Sequence, residues 1–136
     1  MGDFYLESKN TKNKVIKIIR DKGFYVERRG RDKYRVNYTF IVLLKYSRIY
    51  YGEDNTWFGL AESLFNENDV DFILFIIQDS DTVLITPFAL MRDISHFVNL
   101  ASSNLTYEIH VDPINYFFYE TPWNLNPFLN NYNQLR

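Results

Sequence analysis

Val70-Asp71-Phe72-Ile73-Leu74-Phe75-Ile76-Ile77 is the longest nearly unbroken apolar run of the chain. It is built from aromatic and β-branched residues, it is too short for an ordinary helix, and after Asp71 no polar residue alternates with the apolar ones. It therefore reads as a central strand with both faces shielded from water. Upstream, residues 40–46 make a second apolar strand. Downstream, Asp79-Ser80-Asp81 turns the chain into a third at residues 83–85.

Further out, the pattern is helical at residues 8–22. Val15, Ile18 and Ile19 share one side with Ile16 at its margin, Lys9, Asn13, Lys17 and Arg20 take the other, and Gly23 is placed to end the helix. Residues 24–28 and 34–38 read as a hairpin with Arg29-Gly30-Arg31-Asp32 as its turn. Residues 52–55 are expected to loop, Trp57-Phe58 to form a short strand and residues 60–65 a brief helix. Thr86 is placed to cap a helix with Pro87 in its first position, and Phe88, Met91, Ile94, Phe97 and Val98 form its apolar stripe. Strands follow at 107–111 and 116–119, and Asn126-Pro127 repeats the cap before a last helix. No linker or repeat interrupts the sequence. The expectation is one α+β domain over residues 1–136, with a mixed, mostly antiparallel sheet covered by about four helices.

There is no cysteine, which removes disulfides, thiolate metal sites and cysteine nucleophiles. No apolar stretch approaches the roughly 20 residues of a membrane helix, and the polar start lacks a signal-peptide core, so a cytoplasmic location is expected. Met1-Gly2 is not followed by the Ser or Thr that myristoylation needs at position 6, which is Leu6. The net charge of -2 conceals a division. Thirteen of the fifteen lysines and arginines fall in residues 1–48 beside five acids; residues 49–136 hold Arg92, Arg136 and twelve acids. The first is a basic helix–hairpin region, the second an acidic α/β remainder. Such asymmetry points to a polyanion on the basic side.

Phosphate binding needs several cations on one surface. Lys9, Lys17 and Arg20 on the helix, Arg28, Arg29, Arg31 and Lys33 around the hairpin tip, and Lys45 and Arg48 at the end of the next strand are the candidates. Tyr25, Tyr34, Tyr38, Tyr46, Tyr50, Tyr51 and Trp57 are interleaved with them, as rings that stack on bases would be, although most rings in so aromatic a chain must serve packing. In Lys45-Tyr46-Ser47-Arg48, two cations flank the Ser47 hydroxyl. A metal-dependent nuclease would hold Mg²⁺ with Asp32 and a carboxylate two positions before Lys45, while Lys45 steadies the attacking water; Leu43 stands at that position instead, and Glu27 would have to replace the carboxylate from another strand. Glu108, His110 and Asp112 alternate with apolar residues and read as a solvated sheet face, and His96 as a packing residue. No phosphate-cradling glycine loop and no nucleophile elbow is present.

Lys45-Tyr46-Ser47-Arg48, Trp57-Phe58-Gly59-Leu60, the run 72–77 and Ile85-Thr86-Pro87-Phe88 together resemble domains of bacterial restriction and defence proteins. The layout is also similar to the second half of the restriction-endonuclease-like fold. The resemblance spans roughly residues 34–93, with an echo at 123–132. It implies DNA recognition within a restriction system. The leading reading is a DNA-recognition module, for which a modified or flipped base is a candidate target and a nuclease or NTPase domain or subunit a candidate partner, with no cofactor expected unless the nuclease alternative holds. The absent carboxylate at Leu43 argues against cleavage by this domain. Two other readings stand beside it: a divergent Mg²⁺-dependent nuclease using Asp32 and Lys45, and a protein-interaction domain whose basic and acidic regions dock on partners.

Overall fold

In the computed structural model, which describes residues 3–50, 55–67 and 69–136, the run at 72–77 is β5 (Phe72–Ile77), and all six of its side chains are buried. They feed two separate cores. Phe72, Leu74 and Ile76 join Val15, Ile16 and Ile19 on one face; Ile73, Phe75 and Ile77 join Phe58, Phe88, Ile109 and Phe118 on the other. Asp71 belongs to this design, because its carboxylate accepts the Ile41 N–H at 2.8 Å and so starts the pairing of β5 with its neighbour.

Five strands form the main sheet, in the order β1 (Val26–Gly30), β2 (Lys33–Val36), β3 (Phe40–Ser47), β5 and β6 (Val83–Pro87). Only the β3–β5 pair is parallel. Helix α1 (Asp3–Asp21) covers one face with Val15, Ile16 and Ile19. Gly23 ends it in a left-handed conformation (φ 93°), with Phe24 N–H reaching Ile19 O and Gly23 N–H reaching Arg20 O, a Schellman closure. The opposite face carries a second sheet, in the order β4 (Phe58–Ala61), β8 (Thr106–Ile109), β7 (Leu100–Ala101), with α2 (Glu62–Glu67) beside it. The α+β class and the mixed, mostly antiparallel sheet are as expected.

The helical cover differs. There are two α-helices and four short 3₁₀ turns among the described residues, and much of the second face is shielded by strands. Thr86 does not cap: it lies within β6 and its hydroxyl donates to Leu84 O, while Pro87 closes this last strand of the five-stranded sheet, where its missing N–H costs no ladder bond. Beyond it, the buried Phe88, Met91 and Ile94 recur every three residues, the period of a 3₁₀ helix, and the chain forms Phe88–Met91 and Ile94–His96 as such. Asn126 does not cap either; the flanking position is Leu125, and the chain end forms 3₁₀ turns at Asn126–Phe128 and Tyr132–Leu135. Segment 116–119 forms no named strand; its β-pairing consists of isolated bridges, Val111 to Phe118 and Phe117 to Asn124. The myristoylation position Met1-Gly2, Tyr51 and positions 52–54 of the expected loop lie outside the described residues.

Helix α1 begins five residues before the expected start at Ser8. Phe4, Tyr5 and Leu6 are exposed and offer no apolar stripe. The first turns are instead held from the far end of β3. Glu7 accepts the Tyr46 hydroxyl and the Arg48 Nε–H, each at 2.6 Å, and the Arg48 guanidinium lies 5.1 Å from the Phe4 ring centre.

Candidate nucleic-acid interface

The early cations do not form one continuous surface. Lys17 pairs with Asp21 at 2.7 Å, and Arg20 donates to Val26 O. Arg29 lies 3.4 Å and Arg35 3.8 Å from Glu27. Lys33 pairs with Asp69 at 3.0 Å and lies 3.9 Å from Glu67, two acids of the later region. Arg48 is taken by Glu7, and that bond, with the Tyr46 hydroxyl, holds the Glu7 carboxyl below its ordinary value.

Tyr46 and Ser47 are interior groups. Burial, and then the bond to Glu7, push the Tyr46 phenol far above its usual range. The Ser47 hydroxyl donates to Arg48 O at 2.7 Å and accepts the Trp57 N–H at 2.8 Å, so its role in the fold is to fix where Trp57 sits. Trp57 itself is half exposed.

What the fold does bring together is a cleft of about 210 Å³ between α1 and the β1–β2 hairpin. Lys9, Lys12, Arg28 and Arg31 line it, beside Tyr5, Ser8 and Asp32. The hairpin tip is tight: Gly30 pairs with Lys33, leaving Arg31 and Asp32 as the turn, with Asp32 left-handed at φ 58°. Lys12 Nζ lies 3.0 Å from the Asp32 carboxylate. Lys9, Arg28 and Arg31 have no carboxylate within ion-pair distance among the described residues, so three of the four cations remain free to meet an anion. Lys12, absent from the expected set, joined through the fold; the sequence marks it only as one more lysine on the helix.

Lys45 borders this group. Burial lowers its pKa first, and the positive charges of Lys12 and Arg31 lower it further against the opposing pull of Asp32. A lysine whose folded pKa is depressed weakens the fold wherever it must stay protonated, and that penalty fades as pH rises toward its ordinary value of 10.5. Lys45→Met is accordingly expected to be more stable than the parent at pH 7, by on the order of 1 kcal/mol. Urea titrations at pH 7 and pH 10 should show that gain shrinking at the higher pH.

Asp32 is engaged by Lys12, Leu43 offers no ligand, and no three His, Asp or Glu side chains cluster among the described residues. Glu108, His110 and Asp112 form no such group among the described residues. Glu108 is exposed, and His110 Nδ1 lies 2.7 Å from Thr56 O, which can only accept, so that nitrogen carries a proton. Burial pushes the Asp112 carboxyl up, but N–H bonds from Asn115 and Ile114 and the Tyr119 hydroxyl outweigh it and leave it below its ordinary value. No helix is long and apolar enough to cross a membrane among the described residues.

A second cleft, about 300 Å³, lies on the other side of the first turn of α1, lined by Phe4, Tyr50, Trp57, Gly59, Asn104, Thr106 and Glu108. The sequence named Trp57 and Tyr50 as rings but gave no sign that Phe4, Asn104 and Glu108 would close around them. Comparison with models of known protein families and with characterised proteins finds no match to this chain.

Proposed function

We propose that the chain is a DNA-recognition module of the kind that serves restriction and defence systems, gripping the phosphate backbone in the cleft between α1 and the β1–β2 tip. One observation carries the reading: Lys9, Lys12, Arg28 and Arg31 converge on a single cleft, and among the described residues only Lys12 has a carboxylate partner there. Each cation that meets a phosphate releases counterions, whereas cations already paired, such as Lys33 and Arg48, contribute little to that release. The contact is therefore small, two or three phosphates, and a nuclease or NTPase partner would add the remaining affinity and any chemistry.

The test is the salt dependence of duplex DNA binding. Log K should fall with log salt at a slope of about -2 to -3, following roughly -0.9 per phosphate contacted. A flat response would remove the proposal. Concentration-dependent self-association without DNA, broken by salt, would favour a protein-docking role instead.

A further inference from the structure

We propose that the cleft walled by Phe4, Tyr50 and Trp57 is a nucleobase site, taking one unpaired, amino-bearing base whose phosphate lies in the cationic cleft across the first turn of α1. The inference rests on the DNA reading above and adds to it the part of the ligand that carries sequence information.

The cleft follows from strand alternation. On β4, Phe58 and Leu60 turn into the core, which leaves Trp57, Gly59 and Ala61 on the outer face. On β8, Tyr107 and Ile109 turn inward and leave Thr106 and Glu108 outward. Gly59 pairs with Glu108, and a Cβ at Gly59 would come within 2.9 Å of Thr106 Cγ2. The missing side chain is thus what makes the floor of the depression, and the Trp57 ring, 51% exposed, stands beside it. Phe4 closes another side, with Arg48 over its ring and Tyr46 5.9 Å away.

Chemistry then selects the occupant. Three aromatic walls favour a flat π-surface. Glu108 is an acceptor-only carboxylate, which suits an exocyclic amine such as cytosine N4 or adenine N6 and repels a phosphate; Asn104 offers both a donor and an acceptor. A volume of about 300 Å³ is at the small end of ligand sites, enough for one base. Phe4 lines this cleft while its neighbours Tyr5, Ser8 and Lys9 line the cationic one. Less than two helical turns, roughly 8 Å along the axis, therefore separates the α1 residues that line the two clefts, about the reach of one nucleotide.

Trp57 reports directly on the site, because Trp123, the other tryptophan, is buried. Titration of the whole chain with cytidine and adenosine, which lack phosphate, should quench Trp57 emission, and thymidine should do so less. A single-stranded oligonucleotide should bind about tenfold more tightly than the same strand made wholly abasic, as one stacked base provides. Trp57→Ala should erase that difference, Trp57→Phe should retain most of it, and Glu108→Gln should narrow the preference for amino-bearing bases. Equal binding of normal and abasic strands, with the expected salt slope preserved, would overturn the base site and leave the phosphate reading intact. Quenching by nucleosides with a flat salt slope would uphold the base site and overturn the phosphate reading. Quenching by tetramethylammonium but not by nucleosides would overturn the inference in favour of a cage for methylated amines.

Discussion

Phe75→Ala should destabilise the protein by about 3–5 kcal/mol, the range for deleting a fully enclosed phenyl ring. Phe75 is completely buried, its ring centre lies 4.9 Å from Phe58 and 5.4 Å from Phe118, and both rings meet it edge-on. Those two rings come from separate parts of the second layer, Phe58 from β4 and Phe118 from the segment that bridges to Val111. The loss would leave a cavity where the main sheet meets the small one. With a urea slope of roughly 2 kcal/mol per molar, the denaturation midpoint should fall by roughly 2 M. Because native domains are stable by only about 5–15 kcal/mol, the variant should be close to unfolding at 37 °C. Phe97→Ala provides the contrast: this ring is 38% exposed and touches Trp123 at one edge, so its removal should move the midpoint by well under half as much.

Changing Arg28 and Arg31 together to alanine should weaken duplex DNA binding by at least about 30-fold at low salt, because neither guanidinium remains to hydrogen-bond a phosphate oxygen. The salt slope should become shallower by about two units, roughly 0.9 for each phosphate no longer neutralised. Both side chains are exposed and neither joins a core, so the urea midpoint should stay close to that of the parent. The control is Arg29→Ala with Arg35→Ala, which removes the same formal charge from the same hairpin. Those two arginines already lie against Glu27, and their loss should alter affinity several-fold less. Equal effects of the two double variants would show that net charge, rather than the cleft, governs binding.

Much of the main sheet was legible in the sequence because its signals are local. The unbroken run at β5 implied two shielded faces, the Val15, Ile16 and Ile19 stripe gave the buried side of α1, and Gly23 marked its end. What escaped depends on partners distant in the chain. The first turns of α1 are held by Tyr46 and Arg48, about forty residues on, so apolar periodicity had nothing to register there. The stripe after Pro87 showed its apolar residues but not their three-residue period as a distinct signal. The small sheet is centred on the pairing of β4 with β8, four residues each and far apart in sequence, with the two-residue β7 at its side.

The candidate site was legible as a region and not as a surface. Summing charge over residues 1–48 treats every cation as equally available, whereas Lys33 is neutralised by Asp69 and Arg48 by Glu7. Of the expected binding residues, Lys9, Arg28 and Arg31 line the cationic cleft and Trp57 lines the aromatic one, while Tyr46 and Ser47 are interior bonds that hold α1 and Trp57 in place.

The residues that line the cationic cleft all precede β3, whereas the strand shared by both apolar layers follows it. The proposed phosphate grip and the endurance of the fold are thus written in different passages of the chain. The Arg28 and Arg31 side chains enter neither apolar core, so the strength of the phosphate grip can be rewritten at these two positions, by evolution or by an engineer, while the scaffold beneath keeps its own.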